Sequence, residues 1–491
     1  FRTSQIWDRE GWVRFLSLLC DHADYLRDHY SNHNRSSNWL TMESGALLIA
    51  GIMFPEIKSD WMTLGYRRVM HEVKYPFDND GIHMERTPIY HMVAAGIYLQ
   101  CWRLCKANGI PVAPYALPTL EKATDFLMSL VKPDFSTPMI GDADRDDLRT
   151  RRCDTSLYEG MNLTFDPKDL NEMRAYFRTM YQITGKKEYL YFIIAGKEGT
   201  APKKRNYAYK EAGIYVMRTG WKKDDSYFHL QCVQLERGEK STHSHNDTGH
   251  LELHIKGEDI LTDSGRYIEM LNHAMVAFDK HDLDDIIYVD DHEMGTVPGV
   301  SRVRGVRTFC HQFEENEQYQ IIDISHNGYV YREDPIYHRR KVIHMAEDIY
   351  VIDDQVTGMG LREHDIRLYF NFAFGELEQK EHGLFQYVSQ RGCHYEVINM
   401  GSKELEYEIL KGSEEPIGGW ISYGYGWRKP IPQLAVKSTG PVPIHFLTVL
   451  KPEGVFVDIQ MQQEKTVIRK EDGTGIIITE NAVKTIEEDN Q

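Results

Sequence analysis

The sequence predicts a multidomain α+β protein, with helical hairpins first and antiparallel β-structure after them. Three observations predict it. Apolar residues recur near the helical period through about the first 200 positions. After the Lys-Lys-Arg stretch at 203–205 the texture changes to strand-length segments, with turn residues about every 8–12 positions. The 491 residues also exceed the ~150 of an average domain. The expected division is residues 1–205 and 206–491, with a weaker boundary signal near 400–415.

In the first part, Trp12, Phe15, Leu16, Leu19, Ala23 and Leu26 form one helical stripe. Met62, Tyr66, Val69, Met70 and Val73 form another, with Ser59 and Asp60 as start signals. Thr87 followed by Pro88 is an N-cap and first-turn pair for a helix running to about Lys106. Pro118-Thr119 opens a further helix, and residues 167–183 and 187–195 read as helical again. Helix after helix with short loops fits antiparallel hairpins stacked as a bundle, solenoid or toroid. In the second part, Gly213-Ile-Tyr-Val-Met-Arg218, Leu251-Glu-Leu-His-Ile-Lys256 and Gln318-Tyr-Gln-Ile-Ile-Asp-Ile324 read as strands of stacked antiparallel sheets.

Composition narrows the function. With 57 Lys+Arg against 74 Asp+Glu the net charge is -17, which excludes a generally basic nucleic-acid-binding surface. An anionic sugar polymer meets the same repulsion unless its site is locally basic. A hydrophobic fraction of 41% excludes disorder, and no run of ~18 apolar residues predicts a membrane span. Seven scattered cysteines, odd in number and without a CxxC pair, read as isolated thiols rather than a disulfide framework. The chain opens at Phe1 with neither an initiator Met nor a signal peptide, so the expectation is a natural N-terminus that is missing.

The densest chemistry lies in Thr242-His-Ser-His-Asn-Asp-Thr-Gly-His250, followed by Thr262-Asp-Ser-Gly265. In an extended strand His243 and His245 share a face. The chain then runs out through 250–256, turns at Gly257-Glu258 and returns to Asp263. Two imidazoles and a returning carboxylate suit Zn²⁺, with His326 as the best-placed third histidine and His311 or His338 as alternatives. The bland reading is a polar turn with hydrogen-bonded histidines. The metallo-β-lactamase pattern fails, because it wants a histidine where Thr248 stands.

A second constellation belongs to helix starts. Asn38-Trp39 opens one helix and Tyr90-His91 lies in the first turn of another, so both can open onto one rim where oriented N–H groups favour anions. Against this, Asn38 is equally an ordinary N-cap and Tyr90 a surface aromatic. Asp142-Ala-Asp-Arg-Asp146 is no EF-hand loop, since Asp147 replaces the turn glycine and Cys153 the closing glutamate. Arg145, Arg149, Arg151 and Arg152 form the sharpest basic cluster, suited to carboxylate or sulfate or else simply solvated.

Taken together, these segments resemble the heparinase II/III-like polysaccharide lyases. Asn38-Trp-Leu-Thr-Met-Glu43, Phe54-Pro-Glu56, Asp80-Gly-Ile-His-Met-Glu-Arg-Thr-Pro-Ile-Tyr-His91 and Met139-Ile-Gly-Asp-Ala-Asp144 are similar to that family's helical-domain motifs. His243-Ser-His-Asn-Asp247, Leu261-Thr-Asp-Ser-Gly265, His326-Asn-Gly-Tyr329 and His338-Arg-Arg340 are similar to its β-domain signature. The resemblance implies an incomplete α/α toroid, shortened at its N-terminus, followed by an antiparallel β-sandwich.

It also implies β-elimination on uronic-acid polymers such as heparan sulfate, hyaluronan or chondroitin, giving 4,5-unsaturated products. Asn38 would neutralise the C6 carboxylate by hydrogen bonding, so that the enolate-like charge has somewhere to go. Tyr90 would protonate the departing O4 or act as base, and His243 would be its partner acid or base. His245, Asp263 and His326 would hold a structural Zn²⁺. Expected substrate contacts are Trp39, Glu85, Arg86, His91, Arg145, Arg149 and Arg266. The implied location is the bacterial envelope or outside the cell, with the cytoplasm as the alternative. Two other functions compete: a glycoside hydrolase using Glu43 and Glu85, and a non-catalytic carbohydrate-binding protein.

Overall fold

The computed structural model describes residues 8–31, 37–143, 172–233, 243, 245, 248–265, 287–289, 307–330, 334–424 and 427–487. The chain forms two compact units, residues 1–131 with 146–201, and residues 132–145 with 202–491. The expected cut at 205/206 therefore misplaces one segment: residues 132–145 leave the helices and belong to the β unit. The physical reason is buried charge. Lys132 Nζ lies 2.9 Å from both Glu252 and Asp259, and the Met139 N–H donates to Glu252 at 2.9 Å.

The helical unit begins with α1 (Arg9–Asp28), α2 (Asn38–Met53), α3 (Ser59–Glu72), α4 (Pro88–Ala107) and α5 (Ala116–Leu130). It continues with α6 (Glu172–Thr184) and α7 (Lys187–Ile193). Asp8 caps α1 by accepting the Gly11 N–H at 2.8 Å. α2 packs most extensively against α3 and also against α4, which in turn packs on α5. The α2–α3 approach needs glycine: a Cβ on Gly51 would overlap the Met62 backbone, and one on Gly65 the Leu48 backbone. Thr87 caps α4 as its sequence predicts, accepting from Tyr90 N, and Pro88 stands at the first position. Every residue from Pro88 to Leu99 is buried, which makes α4 the centre of its unit. The helix expected at Pro118 starts two residues earlier, without a side-chain cap. Among the described residues, no helix is long and apolar enough to cross a membrane.

The β unit opens with a five-stranded antiparallel meander: β1 (Tyr207–Tyr209), β2 (Ile214–Arg218), β3 (Tyr227–Gln231), β4 (Leu251–Ile255) and β5 (Glu258–Leu261). The β4–β5 turn falls on Lys256 (φ 50°) and Gly257 (φ 83°), both in the left-handed region that a two-residue hairpin of this hand requires. All residues of β2, β3 and β4 are buried, so both faces of this sheet are covered. Tyr215, Met217, Phe228, Leu230, Leu251 and Leu253 point into the main apolar core. The cross-strand register Arg218↔Tyr227, His229↔Glu252 and Tyr227↔His254 puts a polar set on the opposite face.

The meander continues into a four-stranded sheet through a bridge between Leu261 and Phe372; that sheet contains β6 (Ile287–Val289). An eight-stranded sheet holds β7 (Thr308–Glu315), β8 (Tyr319–Tyr329), β9 (Ile336–Met345) and β10 (Ile349–Gly358) side by side. Its Ile322, Ile324, Val342 and Ile352 join the core with the meander. Its Ile321, Ile343 and Val351 pack instead on Ile468, Ile476 and Ile478 of a C-terminal four-stranded sheet. Coverage on both faces explains why these strands read as apolar runs rather than strict alternation. The boundary signal near 400–415 marks no division, because residues 202–491 form one unit.

Candidate active site

In the helical unit, Asn38 is the first residue of α2, with Ser37 as the N-cap, so the ordinary-cap reading does not describe it. Its side chain is buried and its Nδ2 donates to Glu85 Oε1 at 2.9 Å and Oε2 at 3.1 Å. The Asn38 backbone N–H adds a third contact to Glu85 at 3.2 Å. These bonds bring the start of α2 against the turn that leads into α4. Asn38 and Tyr90 therefore belong to the same end of this unit. Between Glu85 and the Thr87 cap, Arg86 takes φ 55°, a strained value for a residue with a side chain. Its N–H donates to the His83 carbonyl at 2.9 Å, and this tight turn aims Glu85 at Asn38.

His91 corrects an expectation. It is completely buried, its Nδ1 accepts from the His83 N–H at 3.1 Å, and its Nε2 donates to the Ala123 carbonyl at 3.0 Å. Both nitrogens being engaged, His91 is a core residue that seats the turn, not a substrate contact. Burial, only partly offset by the Ala123 bond, lowers its pKa to about 4. Trp39 departs from the core role that aromatic bulk favours: it is 55% exposed and so available to a ligand. Arg86 is half-buried. Arg145, Arg149 and Arg266 lie outside the described residues.

In the β unit, His243 and His245 sit in the irregular segment before β4, not on an extended strand. They still face one partner. His243 Nδ1 and His245 Nε2 each lie 2.9 Å from a different oxygen of Asp142, and the Asp142 N–H donates to the His243 carbonyl at 2.8 Å. The segment is tied down on both sides. Gly249 N donates to the Gln231 carbonyl at 2.8 Å, and Gln231 N to the His250 carbonyl at 3.0 Å. Arg340, fully buried and paired with Asp354, donates to the Gly249 carbonyl at 2.6 Å. Arg340 and His338 hold the Asp354 carboxyl down at about 2 against the upward push of burial.

The three expected zinc ligands all have protein contacts in this structure. Among the described residues no three His, Cys, Asp or Glu side chains gather as metal ligands. His245 gives Nε2 to Asp142. Asp263 accepts the Gly265 N–H at 2.6 Å and lies 3.5 Å from His250. His326 has both nitrogens engaged: Nδ1 accepts from Gly328 at 3.2 Å and Nε2 donates to His338 Nδ1 at 2.9 Å. His338 then donates to Asp354 at 2.8 Å. His245 Nε2 and both His326 nitrogens thus serve protein partners in this structure, and Zn²⁺ on His245, Asp263 and His326 stays an implication of the resemblance. No step below passes through a metal.

The polar face of the meander was not anticipated. Lys132, Glu252, Asp259 and His254 form a buried network, with His254 Nδ1 2.8 Å from Asp259. Beside it His229 is completely buried, and burial lowers its pKa to about 4 despite the nearby Glu252. His229 and His91 set a pH dependence. Their folded values lie below the unfolded ~6.5, so between pH 6.5 and 4 the unfolded chain binds protons that the folded chain does not. Their contribution is fully present above the unfolded value and falls on acidification, by about 2 kcal/mol per histidine at pH 5. Chemical denaturation at pH 7 and pH 5 reads this; equal midpoints would rule out neutral burial of both.

Helical hairpins followed by stacked antiparallel sheets, with Asn38 and Tyr90 in the first unit and a clamped His-x-His segment in the second, define the class. The chain belongs to the heparinase II/III family. Residues 1–165 match the family's "Heparinase II/III N-terminus" and residues 201–470 match "Heparinase II/III-like, C-terminal". A heparin-sulfate lyase of Pedobacter heparinus is 29% identical over 269 residues, covering 54% of this chain and 36% of that protein. A heparin-sulfate lyase of Bacteroides thetaiotaomicron is 25% identical over 401 residues, covering 76% of this chain and 51% of that protein. This chain thus spans well under two thirds of either relative. Among solved structures, a heparinase III crystal structure superposes with a TM-score of 0.78 at 19% identity, covering 99% of this chain and 72% of that one. The heparan sulfate lyase HepC of Pedobacter heparinus gives 0.72 at 19% identity, with 99% and 70% covered. These likenesses confirm the α+β architecture.

Proposed function

We propose that this protein is a polysaccharide lyase that cleaves a glycosaminoglycan, heparan sulfate before other uronate polymers, by β-elimination. The observation that carries the reading is the Asn38–Glu85 contact, which gathers Asn38 and Tyr90 at one end of the helical unit. Two relatives named heparin-sulfate lyases support the substrate class.

In the reaction the C5 proton leaves, the C4–O4 bond breaks, a C4–C5 double bond forms and O4 takes a proton. Proton loss at C5 is possible only when the adjacent carboxylate is neutralised. Asn38 does this as a neutral donor, its Nδ2 protons exchanging Glu85 for the substrate carboxylate. Tyr90, in the first turn of α4, supplies the proton for O4; oriented N–H groups at a helix start favour the phenolate left behind. His243 is the partner base. Trp39 offers a face for a sugar ring, and Arg86, Arg145, Arg149 and Arg266 are the cations proposed for carboxylate and sulfate. The described helical hairpins are proposed to form part of an incomplete α/α toroid. A polymer substrate favours action outside the cytoplasm.

The hydrolase reading loses its carboxylate pair. Glu43 accepts from Ser31 N at 2.7 Å and Oγ at 2.6 Å, and Glu85 holds Asn38. Incubation with heparan sulfate, hyaluronan, chondroitin and alginate separates the two reactions. Lyase products absorb in the ultraviolet through the new double bond. Chain shortening without that absorbance sinks the proposal, as does binding with no cleavage of any polymer.

A further inference from the structure

We propose that Asp142 is the positioning residue of this site: its single carboxylate holds the His243 and His245 imidazoles together and sets the tautomer in which His243 works. The inference rests on His243 being the base proposed above, and it adds a residue that acts on the substrate only through His243.

The geometry is specific. Asp142 Oδ2 meets His243 Nδ1 and Asp142 Oδ1 meets His245 Nε2, each at 2.9 Å. A carboxylate only accepts, so each ring must present an N–H to it. His243 is thereby fixed with the proton on Nδ1 and the lone pair on Nε2, the nitrogen directed away from Asp142. Of the three side chains His243 is the most open, at 14% exposure against 7% for His245 and 8% for Asp142. The clamp is itself buried, and the ring it aims is the one solvent reaches.

Asp142 is as firmly fixed as the rings it holds. Its N–H donates to the His243 carbonyl at 2.8 Å, so backbone and side chain grip the same residue. Three residues upstream the Met139 N–H is held by Glu252 at 2.9 Å, and seven further back Lys132 is paired with that same Glu252. The segment is thus docked before it reaches the histidines. Without the carboxylate, two adjacent imidazoles outside regular secondary structure regain rotamer freedom and choose either tautomer. Carboxylates that orient metal-binding histidines are worth about 10- to 100-fold, which sets the scale expected here.

The test uses the full chain and heparan sulfate, followed by product absorbance. Asp142→Ala removes both contacts: kcat is expected to fall about 100-fold with KM within about twofold and an unchanged melting midpoint. Asp142→Asn keeps one carbonyl acceptor and can serve only one ring, so its kcat is expected to lie between alanine and wild type. Wild-type kcat in Asp142→Ala overturns the inference, and so does a loss confined to KM. Failure of both variants to fold assigns Asp142 to stability and overturns it too. His243→Ala separates this from the reading beneath it. Full turnover there removes His243 from the mechanism, whereas turnover lost in His243→Ala but kept in Asp142→Ala removes only the positioning role.

Discussion

Replacing Tyr90 by Phe is expected to lower kcat by about a thousandfold while the protein stays folded. The change deletes one oxygen and leaves the ring, which is 6% exposed and packed in the first turn of α4. Loss of a single hydroxyl hydrogen bond costs about 1 kcal/mol, too little to unfold a large unit. The chemistry is more sensitive. When the C4–O4 bond breaks, the departing oxygen needs a proton, and phenylalanine has none to give. Turnover by ultraviolet absorbance, set beside a melting curve, checks both halves. A folded Tyr90→Phe protein with near-wild-type kcat removes Tyr90 from the mechanism.

The second large effect is on stability. Lys132→Met is expected to destabilise the β unit by about 3–5 kcal/mol at neutral pH, because it strips the cation from two buried carboxylates. Lys132 sits 2.9 Å from Glu252 and from Asp259, with all three side chains almost wholly buried. Burial pushes the Glu252 carboxyl up, but Lys132 and His229 outweigh it and hold the group below its ordinary value. A depressed folded pKa means stability that is present above the unfolded value near 4.5 and lost as pH falls through the folded one. Without Lys132, burial wins and the sign reverses: the variant loses stability as pH rises. The gap between the two proteins should therefore narrow on acidification. Denaturant midpoints at pH 7 and pH 5 measure it, and equal stability at pH 7 would show that the network contributes nothing.

Features set by neighbouring residues were legible in the sequence. The Thr87–Pro88 start of α4 follows from local backbone chemistry and stands where the pattern puts it, while the turn after β4 falls on Lys256–Gly257, one residue before the expected Gly257-Glu258. Asn38 was legible as a helix start, although Ser37 rather than Asn38 stands at the N-cap position. Contacts between distant residues were not. Asp142 and His243 are 101 positions apart and Lys132 and Glu252 are 120 apart, so nothing in either local pattern announces the pairing. The His-x-His spacing suggested a shared strand face, whereas the rings converge because one carboxylate draws both in. His91 misled for a related reason. A histidine in a helix's first turn looks presented to a ligand until the neighbouring turn and α5 close over it.

The segment 132–145 also bears on how such proteins can be taken apart and recombined. Its chain position places it among helices, yet its partners are strands. A β fragment cut at 205/206 would carry two interior acids without their cation and two imidazoles without their carboxylate. Exchange of helical segments between relatives meets the same constraint, because a swapped block that replaces these fourteen residues replaces part of the other unit. The heritable module here is discontinuous: an insert from the first half of the gene travels with the second, and fusion or truncation boundaries have to respect it.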